Sequence, residues 1–246
     1  MDLGLHGRVA VVTAASKGLG RGSALALAAE GCNLILNARS AEPLAATADE
    51  CRALGVDVVD HAGDVSDPEL PATLVALALE RFGRLDIAVA NAGGPPAGKA
   101  LDVDDDMIRA AVEQNLLASV RLVRAAVPPM TDGGFGRIVC ITSTSIKQPI
   151  GGLSLSNTAR TGLYAWCKTA ATDLASDPAT EAITLNLVCP GLHDTDRVRQ
   201  LYAGSMPTRI GDAEDFGRVV AFVCSTSAKF ITGQAVLVDG GATLGL

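Results

Sequence analysis

Two stretches of the chain carry residues spaced for chemistry on a phosphate-rich ligand. The apolar run Arg8–Thr13 leads into Thr13-Ala14-Ala15-Ser16-Lys17-Gly18-Leu19-Gly20, and an Ala-rich segment follows. A glycine-rich turn between a strand and a helix lets backbone N–H groups and the positive end of the helix dipole face a pyrophosphate. About twenty residues further on, a second apolar run ends in Asn37-Ala38-Arg39-Ser40. An NAD site places an acid near that strand end for the ribose 2′-hydroxyl, whereas arginine suits a 2′-phosphate. No acid stands there. Arg39 can pair bidentately with a phosphate, and Lys17 adds a second positive charge in the loop itself. The joint placement favours NADP over NAD, against the alternative that both are solvated surface charges.

These residues need a scaffold that brings strand ends and helix starts together, and the rest of the chain describes one. Arg8–Thr13, Asn33–Asn37, Val56–His61, Asp86–Ala90, Gly136–Thr142, Ile183–Val188 and Ala235–Val238 read as strands. Leu19–Glu30, Ala41–Leu54, Pro68–Phe82, Asp104–Met130, Asn157–Ala175 and Asp212–Cys224 read as helices, with Gly31, Gly55 and Gly83 as stops. The strands are continuous apolar runs rather than alternating ones, as in a parallel sheet covered on both faces. Strict alternation of strand and helix predicts an α/β fold: a single doubly wound parallel sheet of Rossmann type, one domain over residues 1–246.

Composition narrows the class further. The chain has 246 residues, 48% of them hydrophobic, which excludes disorder. A formal net charge of −7 argues against a nucleic-acid partner. Apolar stretches are short and interrupted, so no membrane span is expected, and the N-terminal sequence lacks the pattern of a signal peptide. The cysteines at 32, 51, 140, 167, 189 and 224 form no CxxC pair or Cys/His cluster. Reduced thiols, no metal site and a soluble cytoplasmic protein are expected.

Ordered along this scaffold, the motifs resemble those of the short-chain dehydrogenase/reductase family. Thr13 through Gly20 resembles its TGxxxGxG turn, and Asp64-Val65 its acidic adenine contact. Asn91-Ala92-Gly93 matches its NAG motif, and Asn115 its helix-four Asn. Ser143 matches its active Ser at the end of the fifth strand, and Pro190-Gly191 its PG after the sixth. The segments Ile231-Thr232-Gly233-Gln234 and Val238-Asp239-Gly240-Gly241 resemble its closing region. The look is nearest to 3-oxoacyl-acyl-carrier-protein reductases. The resemblance implies a nicotinamide cofactor, a small-molecule substrate and a homodimer or homotetramer.

Two departures from the family pattern bear on mechanism. Ala14 stands where the first motif glycine belongs, and its methyl becomes costly if φ must be positive. Counting thirteen residues from Ser143, as the family does to its Tyr, reaches Ser156, and the Lys slot four further on holds Arg160. A phenol titrates near about 10, whereas an aliphatic hydroxyl lies closer to the roughly 15.7 of water. Ser156 is therefore a hydrogen-bond donor but a poor general acid, and Arg160 can hold a ribose or phosphate of the cofactor and keeps its charge without donating a proton usefully. Tyr164-Ala165-Trp166-Cys167-Lys168 also spells YxxxK, but it lies eight residues later, about 12 Å along the same helix. Tyr164 and Trp166 read as packing residues.

Other proton sources are Lys147, in the loop directly after Ser143, then His193, Tyr202 and bound water. Lys147 is read as a candidate donor or substrate anchor. Leu192 to Ile210, with Asp194, Asp196, Arg197, Arg199 and Met206, forms the expected substrate loop without a recognisable signature. The reading is an NADPH-dependent reductase of a carbonyl or imine that lacks the usual Tyr acid. The alternatives are a lyase, isomerase or cyclase, or a cofactor-binding protein without catalysis.

Overall fold

The computed structural model describes residues 2–202 and 207–244, so Met206 of the expected substrate loop lies outside the described residues. Seven strands form one parallel sheet: β1 (Val9–Val12), β2 (Asn33–Ala38), β3 (Val58–Ala62), β4 (Ile87–Ala90), β5 (Gly136–Ile141), β6 (Ile183–Pro190) and β7 (Ala235–Val238). Their spatial order is β3-β2-β1-β4-β5-β6-β7. Strand order reverses between β1 and β4, and the carboxyl ends of strands at such a switch point open a ligand crevice.

Eight α-helices accompany the sheet among the described residues: α1 (Gly18–Ala29), α2 (Ala41–Arg52), α3 (Leu70–Phe82), α4 (Asp105–Val112), α5 (Ala118–Asp132), α6 (Ser154–Ser176), α7 (Asp196–Leu201) and α8 (Ala213–Val223). Alternation along the strands decides what covers each face. Val9 and Val11 join a core with Leu74 of α3, Val123 and Met130 of α5 and Leu163 of α6. Ala10 and Val12 join another with Leu27 of α1, Leu44 of α2 and Phe216 of α8. Both faces are buried, which is why the strands read as continuous apolar runs.

Glycine sets how closely α1 and α8 approach. A Cβ on Gly22 would stand 2.1 Å from the Ala213 carbonyl oxygen, and one on Gly217 2.1 Å from that of Gly22. This close approach holds α1, and with it the loop ahead of it, against the sheet. At the opposite strand ends, the buried carboxylate of Asp86 accepts bonds from Arg8 Nη1 at 2.8 Å, the Val9 N–H at 2.9 Å and Arg84 Nη2 at 2.7 Å.

The structure revises several expected boundaries. The single helix expected over Asp104–Met130 is divided by a π-turn at Glu113–Leu117, which contains Asn115. Its extra residue per turn is invisible to a 3.6-residue pattern. Pro128 and Pro129 lie inside α5, which runs on to Asp132 before Gly133. Helix α6 starts at Ser154 rather than Asn157, so Ser156 sits within it. Strand β6 extends to Pro190. Helix α7 has no counterpart in the sequence pattern, because six polar-rich residues give no apolar period.

Candidate functional site

A cleft of about 580 Å³ opens at the carboxyl ends of the strands. One end is built by the turn between β1 and α1. Gly18 adopts φ +55° there, and Ala14 adopts φ +49°, the one positive φ on a non-glycine among the described residues. A Cβ on Gly20 would meet the Ala14 carbonyl oxygen at 2.2 Å, so the helix can close on its loop only with glycine at this position. Lys17 stands at the N-cap of α1 and makes no side-chain cap bond, which leaves the first-turn N–H groups without a side-chain acceptor. Such a terminus is a ready site for a phosphate.

Ser16, Lys17, Gly18 and Leu19 line this end, together with Arg39, Val65, Asn91, Ala92 and Gly93. Pro190 and Gly191 line the far side. Three residues of the expected dinucleotide set are placed differently. Thr13 works behind the wall: its Oγ1 donates to the Asn91 carbonyl oxygen at 2.8 Å and accepts the Asn91 N–H at 2.9 Å, tying the ends of β1 and β4 together. Gly20 provides close approach rather than lining. The Asp64 carboxylate accepts the Ser66 N–H at 2.9 Å and shapes the loop that presents Val65.

The other end gathers the residues proposed for chemistry. Ser143, Ser156 and Arg160 line the same cleft. Ser143 Oγ accepts the Ser145 N–H at 3.1 Å, which leaves its own O–H to donate. Arg160 follows Ser156 by one turn of α6 and is 8% exposed. Its Nη1 donates to the carbonyl oxygens of Ile141 and Thr142 at 3.2 and 2.5 Å, and its Nη2 to Asn115 Oδ1 at 3.3 Å. Burial pushes its pKa down to about 10, so it stays charged at neutral pH. Asn115 lies behind the cleft wall and holds Arg160; its own Nδ2 has no acceptor.

Lys147 is exposed and does not line the cleft. Its Nζ approaches the Tyr164 hydroxyl at 3.4 Å and lies 5.0 Å from the ring centroid. Tyr164 and Trp166 pack at the edge of the core around α6. Lys168 donates to the Gly233 carbonyl oxygen at 2.9 Å. Tyr202 is the phenol that lines the cleft among the described residues, and it is half-exposed. His193 also lines it, but is buried edge-on against Phe216 with ring centroids 5.1 Å apart, and burial lowers its pKa.

Several lining residues carried no motif in the sequence. Thr195, Asp196, Arg197 and Leu201 border the cleft from α7 and its N-cap. Lys17 Nζ pairs with Asp196 Oδ2 at 3.1 Å, and Arg197 Nη2 donates to the Pro95 carbonyl oxygen at 2.5 Å. Helix α7 is thereby tied to both the glycine-rich turn and the loop after β4. The only advance signal was the cluster of charges after Gly191.

All six cysteines are buried and unpaired. Among the described residues no helix is long and apolar enough to cross a membrane.

Comparison with known proteins agrees with this architecture. Residues 13–243 match a family model described as enoyl-(acyl carrier protein) reductase. The chain is 32% identical to dehydrogenase/reductase SDR family member 4 of Oryctolagus cuniculus, covering 97% of this chain and 94% of that protein. It is 34% identical to a 3-oxoacyl-[acyl-carrier-protein] reductase of Pseudomonas aeruginosa, covering 97% and 98%. The fold superposes with a TM-score of 0.91 on L-sorbose reductase from Gluconobacter frateurii complexed with NADPH and L-sorbose, at 30% identity and full coverage of both chains.

Proposed function

Because the chain belongs to the short-chain dehydrogenase/reductase family of oxidoreductases, we propose that it reduces a small carbonyl compound with NADPH and without a Tyr acid. The observation that carries this reading is the convergence of Ser143, Ser156 and Arg160 at one end of a cleft whose other end is a phosphate-ready helix terminus.

The residues present fit the dinucleotide. The first turn of α1 faces a pyrophosphate, with Gly18 and Gly20 giving room. Arg39 lines the cleft beside Ser40, where a 2′-phosphate would be read, and Lys17 lies close by in the loop. These two cations favour NADPH over NADH, and a related reductase has been seen with NADPH bound. NADPH supplies a hydride to the carbonyl carbon.

The chain's own groups handle the oxygen. Ser143 Oγ and Ser156 Oγ donate hydrogen bonds to the carbonyl oxygen and orient it. The Arg160 charge stabilises the negative charge that grows there, fixed in place by Asn115 and the end of β5. The charge of a buried, preorganised guanidinium is worth more than the same charge in solution. The final proton comes from water in the cleft through Ser156. Lys147, exposed beside Tyr164, is not used in this scheme.

The test begins with calorimetric titration of NADPH and NADH. NADPH binding preferred by tenfold or more, and lost selectively in Arg39→Gln, supports the reading; binding of neither dinucleotide refutes it. A screen of carbonyl compounds for NADPH oxidation then separates a reductase from a non-redox protein on the same scaffold. Ser156→Tyr with Arg160→Lys is expected to gain carbonyl reduction. The reading includes a homodimer or homotetramer, supported by exposed Phe222 on α8 and Leu237 on edge strand β7; light scattering tests it.

A further inference from the structure

We infer that the cleft selects a carbonyl substrate bearing a carboxylate, an oxo acid, seated against Arg197 with Arg160 behind it. The inference rests on the reductase reading above and names its substrate class.

Charge in the cleft is one-sided although the chain as a whole is acidic. Lys17, Arg39, Arg160 and Arg197 line it, and among the described residues the one lining carboxylate, Asp196, meets Lys17 at 3.1 Å and pairs with neither arginine. Lys17 and Arg39 belong to the dinucleotide end, where phosphates match them. Arg160 and Arg197 remain. Neither forms an ion pair among the described residues. Both line the same cleft, and the charge of Arg197 adds to burial in lowering the Arg160 pKa.

The rest of the molecule treats buried charge differently. The buried Asp86 carboxylate is met by both Arg8 and Arg84. Arg137 is buried without a carboxylate, but it stacks on Phe135 at 4.3 Å and donates to the carbonyl oxygens of Ser225, Gly136 and Ala182. Among the described residues Arg160 has no ring beneath it, and its Nε has no acceptor. A buried cation that lacks a counter-charge is destabilising unless an anion arrives. Arg197 can provide the anchor directly: it is half-buried on α7 and spends one N–H on Pro95 while a guanidinium has five. Guanidinium groups recognise carboxylates through two parallel bonds. The same field disfavours a protonated imine, whose positive charge would face both arginines.

Reduction leaves the carboxylate unchanged. The carbonyl carbon gains the hydride, its oxygen gains one proton, and NADPH becomes NADP+, so an oxo acid yields a hydroxy acid.

The test compares acids with neutral analogues on the wild-type protein. 2-Oxobutanoate and 4-oxopentanoate are titrated calorimetrically into the protein saturated with NADP+, alongside the corresponding amides. At least one acid is expected to bind tenfold or more tightly than its amide. Arg197→Gln is expected to bring that ratio near one, and Arg197→Lys to restore part of it. Equal binding of acid and amide in both pairs, or binding of no acid, overturns the inference. The ratio surviving in Arg197→Gln also overturns the assigned anchor. NADPH titration of the same variants reports the dinucleotide end separately. If NADPH does not bind at all, the reductase reading fails. The acid–amide ratio on the ligand-free protein then still decides whether the arginines hold a carboxylate.

Discussion

Replacing Ala14 by glycine should make this protein more stable, which is the reverse of the usual effect of glycine. Ala14 holds φ +49° in the turn between β1 and α1. An L-residue with a Cβ loses roughly 1–2 kcal/mol in the left-handed region. Glycine removes that strain but adds unfolded-chain freedom, which returns about 0.4–1 kcal/mol. The methyl of Ala14 borders the open cleft, so its loss leaves no closed cavity. The net gain is about 0.5–1 kcal/mol, or roughly 1–4 °C in Tm for a chain of this size. Gly18→Ala is the opposing variant: Gly18 sits at φ +55°, and a Cβ there would press Thr195 Cγ2 at 3.2 Å. It should lose about 1 kcal/mol or more. Scanning calorimetry of both variants in the same buffer measures the pair. If Ala14→Gly fails to raise Tm while Gly18→Ala leaves it unchanged, the strained-turn argument is wrong.

Three other perturbations follow from the packing. Asp86→Ala frees Arg8 and Arg84 to turn to solvent but leaves the buried Val9 N–H without its acceptor, and should cost about 1–3 kcal/mol, read as a fall in the urea midpoint. Gly217→Ala drives a Cβ against the Gly22 carbonyl oxygen 2.1 Å away, with an expected loss of about 1–3 kcal/mol and lower helical content in α1 and α8 by hydrogen exchange. His193 has its pKa lowered from 6.5 by burial, so the unfolded chain takes up the proton first. Its contribution to stability is full above about pH 6.5 and falls as pH drops through the lowered value. Urea midpoints between pH 7.5 and 5 should decline more steeply in the wild type than in His193→Gln.

Much of the architecture was legible because its causes are local. Continuous apolar runs separated by glycine-stopped helices can only be buried in a parallel sheet covered twice, and the seven strands lie where the runs fall. The glycine-rich turn was legible because its backbone shape requires glycine at Gly18 and Gly20. What failed were features without a period of their own. The π-turn at Asn115 interrupts a helix by a single extra residue, and α7 is too short and polar to show a face. Lys147 is near Ser143 in sequence, yet the short 3₁₀ turn Thr144–Ile146 turns it outward to Tyr164.

By itself the sequence determined the fold class, the glycine-rich turn between β1 and α1, and the spacing of Ser143, Ser156 and Arg160. Those depend on residue identity and on spacing along single elements. Only tertiary structure decided that Arg160 is buried without a counter-charge among the described residues, that Arg197 lines the same cleft from α7, and that Asn115 meets Arg160 from a π-turn. Charge balance in a cleft belongs to groups brought together from distant segments, and no local pattern encodes their sum.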